Sequence, residues 1–245
     1  PEPLTPRSFR NALSRIAHSS LYRTTDAGGS IFLVQREDEV RYVILRVTRI
    51  YGETASEVGL LEDVTIPTLE QQRIERERDY DILTGLYNRQ AFNRVCADLF
   101  AHPAQLHCSA LLMMDLDNLK QINDTFGHDW GDRYINLAGQ CFSQTLPQNT
   151  ICARMSGDEF IVLFYGYDRR DEIRQVLNRL SEAIKERTAL LPNGDTMRIS
   201  ISGGIAWYPE NGRDLATLKK YADFAMYQVK HESKGEMGEF DIGAY

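Results

Sequence analysis

Two short acidic clusters carry the chemistry open to this chain. The first is Asp158-Glu159, which follows Ser156-Gly157 and lies between the β-rich runs Thr150-Ile151-Cys152-Ala153 and Ile161-Val162-Leu163-Phe164. The stretch from Arg154 to Phe160 therefore reads as a tight hairpin with acid at its tip. The second cluster, Asp115-Leu116-Asp117, closes the apolar run Ala110-Leu111-Leu112-Met113-Met114. Carboxylates at strand ends supply the hard oxygen ligands that hold Mg²⁺ beside phosphates. Two such edges in one chain point to metal-assisted phosphoryl or nucleotidyl transfer.

Charge limits the partners. With 28 Lys plus Arg against 35 Asp plus Glu, the net charge is −7, which argues against a protein that coats a nucleic-acid backbone. A polyanionic ligand needs a local basic cluster. Lys120 stands one helical turn beyond Leu116, and Lys230 and Lys234 share one face of the last predicted helix at i and i+4. Cys96, Cys108, Cys141 and Cys152 show no Cys-x-x-Cys spacing; they read as buried, reduced thiols, which suits the cytoplasm. No apolar stretch reaches the roughly 18 to 20 residues of a membrane helix, and no signal-peptide pattern opens the chain. Direct membrane contact is not expected. Because the chain opens on Pro1 without a methionine, it is expected to be a piece of a longer protein, with a membrane or sensor segment upstream.

The signature stretch resembles the GGDEF domain of diguanylate cyclases, with Ser156 in its first position. Three further stretches match in order and spacing: Asp81-Ile82-Leu83-Thr84-Gly85-Leu86-Tyr87-Asn88-Arg89, Asp115 through Asp132, and Ala222-Asp223-Phe224-Ala225-Met226-Tyr227-Gln228-Val229-Lys230. Together they cover residues 79 to 241, about two-thirds of the 245-residue chain.

The resemblance implies an α/β (α+β) fold whose mixed, mostly antiparallel sheet is shared with nucleotidyl cyclases and polymerase palms. It implies condensation of two GTP into cyclic di-GMP with release of pyrophosphate, dependent on Mg²⁺ or Mn²⁺. One such domain holds one GTP, so a twofold homodimer is implied as well. It assigns divalent metal to Asp115, the backbone carbonyl of Leu116 and Asp158, with Glu159 beside them. Asp158 is also the favoured carboxylate for assisting loss of the 3′-hydroxyl proton, with Glu159 and Lys120 close to the chemistry. Asn123 and Asp132 take the guanine, His128 lies near ribose or base, and Lys230 and Lys234 take the triphosphate. A carboxylate at 132 rejects adenine, which offers no N1-H and leaves it unpaired, at about 1 to 3 kcal/mol. Asp117 is read as the cap of the helix near Asn118.

Three departures from the family pattern matter. Ser156 replaces Gly beside the phosphates, and as the next smallest choice it is expected to preserve catalysis. Ser233-Lys234-Gly235-Glu236 stands where the family has Gly followed by Arg-Asn; Lys keeps the charge but loses the bidentate fork, so weaker triphosphate binding is expected. Pro147 and Thr150 fall on the Arg-x-x-Asp of the family's product-inhibition site, and feedback through that site is expected to be absent. A catalytically silent GGDEF module that binds GTP or a partner protein is the rival reading.

These residues need a scaffold. Residues 5 to 18 read as a short amphipathic helix through Phe9, Leu13, Ile16 and Ala17. Ile31 to Val34, Tyr42 to Thr48 and Ser56 to Thr65 read as strands, with turns at Asp38-Glu39 and Tyr51-Gly52. They resemble the last three strands of a PAS sensor domain. The charge-rich 67 to 80 segment, with Pro67 at its start, reads as a connecting helix. It is either a solvated spacer or, through Leu69, Ile74 and Tyr80, a short coil between paired subunits. The expected domains are a partial PAS-like region at 1 to 66, a linker helix at 67 to 80 and the GGDEF domain at 81 to 245. Beyond it the pattern predicts helix from Arg89 to Ala101, strand 108 to 115, helices 118 to 125 and 130 to 146, and a hairpin over 150 to 165. Helix 171 to 187, strand 196 to 208, helix 214 to 231 and a final strand at 237 to 241 complete it. In the 196 to 208 strand, Met197, Ile199, Ile201, Gly203 and Ile205 share one face.

Overall fold

A computed structural model describes residues 20–24, 30–36, 39–50, 56–191 and 193–243. The predicted 5 to 18 helix, Asp38 and the Tyr51-Gly52 turn lie outside the described residues. The chain divides into two compact units, Pro1–Glu75 and Arg76–Tyr245.

The first unit is an antiparallel meander of β1 (Ser20–Thr24), β2 (Ser30–Arg36), β3 (Glu39–Ile50) and β4 (Ser56–Asp63), in that spatial order. The three predicted strands are present. β1 is a further strand that its short, mostly polar sequence does not foreshadow. Ile31, Tyr42 and Ile44 form a small core, and a PAS identity is not shown by so small a sheet. Helix α1 (Thr65–Asp79) follows, and Asp63 Oδ1 accepts from the Thr65 amide at 3.0 Å to start it.

The second unit is built on a six-stranded sheet. Its strands are β5 (Tyr87–Asn88), β6 (Cys108–Leu116), β7 (Thr150–Ser156), β8 (Glu159–Tyr167), β11 (Ile201–Tyr208) and β12 (Met237–Glu239). The spatial order is β12-β11-β6-β8-β7-β5. The three central pairings are antiparallel and the two outer ones parallel, so the sheet is mixed and mostly antiparallel. Helices α2 (Arg89–Ala101), α3 (Leu119–Phe126), α4 (His128–Thr145), α5 (Arg170–Glu186) and α6 (Leu215–Glu232) flank it.

The central strands are unbroken apolar runs because both their faces are covered. Ala110, Leu112 and Met114 of β6 and Phe160, Val162 and Phe164 of β8 pack with Phe142 of α4 and Leu180 of α5. The alternate residues Leu111, Ile161 and Leu163 face the other way, onto Phe92 and Cys96 of α2 and Leu218 and Ala222 of α6. On that second side α6 lies against β11 at Gly204. A Cβ built there would stand 2.1 Å from both the Ala222 carbonyl oxygen and the Met226 amide nitrogen.

The predicted 196 to 208 strand is two strands. Thr196–Arg198 (β10) pairs with Thr188–Leu190 (β9) in a separate ribbon, and only β11 joins the main sheet. Between them the backbone is diverted. Ile199 N donates to the Arg187 carbonyl at 3.1 Å, Ser200 N donates to the Tyr134 hydroxyl at 2.9 Å, and the Ser200 carbonyl accepts from Asp117 N at 2.9 Å.

All four cysteines are free; Cys96 and Cys141 are buried, and Cys108 and Cys152 are half-buried. Burial pushes the Cys96 thiol up to about 12, which leaves almost no thiolate near neutrality. Peptide mapping after iodoacetamide treatment at pH 8 will find Cys96 unmodified in the folded chain and fully alkylated in denaturant. Labelling at equal rates in both states would contradict this packing.

Candidate active site

The ends of β6 and β8 bring the acids together. Asp115 stands directly opposite Glu159 in the ladder, and the Leu116 amide donates to the Asp158 carbonyl at 3.0 Å. The β7–β8 turn holds Gly157 at φ +42°, a left-handed conformation that a glycine accepts without strain. Beside this edge a cleft of 760 Å³ is lined by Asp115, Leu116, Asp158, Lys120, Lys230 and Lys234, with Asn118 and Tyr227 among their neighbours. Burial raises the Asp115 carboxyl above its usual range, and the negative field of Asp158 adds to the rise; the Lys230 ammonium, 2.7 Å away, opposes it.

The remaining sequence-derived residues sit differently. Asn123, on α3, and His128 and Asp132, on α4, do not line this cleft; His128 and Asp132 are exposed. Asn123 Oδ1 is buried with no hydrogen-bond partner. It lies over Gly131, where an added Cβ would come within 1.9 Å of it, so a glycine at 131 is what lets the amide fit between the two helices. Glu159 is drawn aside: its Oε2 accepts from the Ser156 hydroxyl at 2.7 Å.

Asp117 is not the helix cap. The N-cap of α3 is Asn118, in a left-handed conformation at φ 65° and without a side-chain capping bond. The Asp117 carboxylate is buried and accepts from the hydroxyls of Ser200 at 2.7 Å and Ser202 at 3.0 Å. A buried carboxylate needs such donors more than a helix start needs a cap.

Two further residues shape the site without having been assigned a role. Arg154 donates through Nε and Nη2 to the Gly157 carbonyl, at 3.0 and 2.8 Å, and through Nη1 to the Asp81 carboxylate at 3.3 Å. Asp81 Oδ1 also accepts from the amide and hydroxyl of Thr84. Both residues sit inside motifs visible in the sequence, but an Arg–Asp pairing at a separation of 73 positions leaves no local trace.

Among the described residues no group of three or more His, Cys, Asp or Glu side chains is gathered to hold a metal unaided. Asp115 and Asp158 line the cleft together with Leu116. Mg²⁺ is commonly held by one or two carboxylates with substrate phosphates and water completing the shell. A cation would also offset the burial that raises Asp115 and the smaller contribution from Asp158. The donor set fits such an ion.

A sheet covered on both faces, with acids at the tip of its central hairpin, defines the GGDEF class of α/β domain. The chain belongs to the diguanylate cyclase GGDEF family: residues 78–236 match the family described as "Diguanylate cyclase, GGDEF domain". A solved GGDEF domain of YfiN (TpbB) from Pseudomonas aeruginosa superposes with a TM-score of 0.60 at 30% identity, covering 67% of this chain and 95% of that one. A sensory box/GGDEF family protein from Caulobacter crescentus gives 0.56 at 29% identity, over 63% of this chain and 99% of the other. Among curated relatives, the uncharacterized protein YhcK of Bacillus subtilis is 32% identical across 64% of this chain and 44% of its own length. The cyclic di-GMP phosphodiesterase NbdA of Pseudomonas aeruginosa is 37% identical across 62% of this chain and 19% of its own. The chain thus spans less than half the length of these curated relatives.

Proposed function

We propose that the chain is a diguanylate cyclase, condensing two GTP into cyclic di-GMP and pyrophosphate as a twofold homodimer in the cytoplasm. The observation that carries this reading is the meeting of Asp115 and Asp158 in one cleft with Lys230 and Lys234. A Mg²⁺ or Mn²⁺ ion there would neutralise phosphate charge as the 3′-hydroxyl of one GTP attacks the α-phosphorus of the other. Asp115, the Leu116 carbonyl and Asp158 would hold that ion, and Glu159 would join them on leaving the Ser156 hydroxyl. Lys230 and Lys234 bind the triphosphate and balance the charge of the leaving pyrophosphate, with Lys120 in the same cleft. Asn123 and Asp132 select guanine, and His128 borders the nucleoside. Asp158 takes the hydroxyl proton, directly or through water. Each domain holds one nucleotide, so two must face each other for in-line attack.

Incubation with GTP and Mg²⁺, followed by chromatography for cyclic di-GMP, tests the reading. Product is expected from GTP and not from ATP. Because Pro147 and Thr150 replace the charged pair of the inhibition site, added cyclic di-GMP is expected to leave the rate unchanged. GTP binding without any product at high protein concentration would instead favour a silent, regulatory GGDEF module. Two observations support that second reading: Glu159 is engaged by Ser156, and NbdA, named a cyclic di-GMP phosphodiesterase, carries the matching region in a fifth of its length.

A further inference from the structure

The two aspartates of Asp115-Leu116-Asp117 do different work. Both border the cleft, but the Asp117 side chain is only 1% exposed. Its Oδ2 accepts from Ser200 Oγ at 2.7 Å and its Oδ1 from Ser202 Oγ at 3.0 Å, while the Lys234 ammonium stands 3.9 Å from Oδ1. Ser202 Oγ, having donated its proton to Asp117, accepts from the Gly235 amide at 3.1 Å. Lys234 also donates to Asn118 Oδ1 at 3.0 Å. The turn after α6 is thereby fastened at two points to the floor beneath the cleft.

That fastening has a purpose a lone lysine cannot serve. Lys234 lies past the end of α6, after the C-cap Ser233, and a lysine there carries much rotamer freedom that phosphate binding must remove. A buried carboxylate that holds both the backbone beyond it and its ammonium removes that freedom in advance. We propose that Asp117 is a positioning residue: through Ser202 it fixes the Lys234-Gly235 turn and aims the Lys234 ammonium at the triphosphate. The inference rests on the reading of Lys234 as a phosphate contact. It makes Asp117 matter for the phosphates of a nucleotide and not for its base.

Calorimetric binding of GTP and of GMP to the full chain, with Mg²⁺ present, tests it. Lys234→Ala is expected to weaken GTP on the order of tenfold and to leave GMP unchanged. Asp117→Asn is expected to weaken GTP to a similar extent, again sparing GMP, and to add nothing in the Asp117→Asn/Lys234→Ala double variant. Ser202→Ala, which keeps the carboxylate but cuts its link to the turn, will reproduce the effect and serves if Asp117→Asn fails to fold. Full additivity of the two substitutions, or equal losses for GTP and GMP, overturns the role of Asp117 while leaving Lys234 intact. Unchanged GTP affinity in Lys234→Ala overturns the phosphate reading itself, and this inference with it.

Discussion

Asp158→Asn and Asp115→Asn, each made alone, will lower cyclic di-GMP formation by the proposed cyclase by about three orders of magnitude, the several kcal/mol of charge stabilisation that a bound divalent ion would supply. Both changes are nearly isosteric, so the loss will come from the oxygen that no longer carries charge and not from packing. Asp115 permits a second, independent readout. Burial raises its carboxyl above the ordinary range, so at neutral pH the ionised form weighs against the folded state. That burden is absent below the ordinary carboxylate range and grows as pH rises through the raised value. Asp115→Asn removes it, and the thermal midpoint at pH 7 will hold steady or rise while activity collapses. Activity within tenfold of the parent for either variant would sink the metal assignment, and a large fall in the midpoint of Asp115→Asn would show the carboxylate to be structural.

Gly204→Ala will be among the most destabilising single methyl additions in the second unit. The added carbon would meet backbone on two sides, 2.1 Å from the Ala222 carbonyl oxygen and the Met226 amide nitrogen. Neither can swing away as a side chain would, so the whole of α6 must lift from β11. Overpacking of this kind costs about 3 kcal/mol, at the upper end of the usual range. The neighbouring Gly203 provides the control. A Cβ there meets only side-chain carbons, Leu112 Cδ1 at 3.1 Å and Met237 Cγ at 3.2 Å, which yield at much smaller cost. Urea titrations of the two variants should therefore differ sharply, and equal midpoints would refute the claim that backbone contact sets the helix position. Because α6 carries Lys230, the triphosphate contact proposed above, any folded Gly204→Ala protein is expected to bind GTP more weakly.

The sequence made the scaffold legible where burial leaves a periodic mark. The runs 110 to 114 and 161 to 164 could be read because both faces of β6 and β8 are covered, and α2 began and ended where its pattern did, at Arg89 and Ala101. The break at Ile199-Ser200 was invisible for a related reason. Met197, Ile199 and Ile201 keep pointing into the same core on either side of it, so the alternation continues while the hydrogen bonds change partners. The acids of the site could be placed on one edge from their strand ends alone. The role of Asp117 could not, since an aspartate before a helix looks like a cap and its true partners, Ser200 and Ser202, lie more than eighty positions away. Nor could the sequence show that Ser156 would engage Glu159, because that depends on the tightness of the turn between them.

The tie from Gly157 through Arg154 to Asp81 sets a rule for engineering. The 150 to 165 hairpin is not a portable cassette: lifted onto another scaffold without residues 81 to 85, its guanidinium would lose the carboxylate that steadies it, and the acidic tip would go slack. Grafts and chimaeras should cut the chain ahead of Asp81, in the helix that precedes it, so that both ends of the brace travel together.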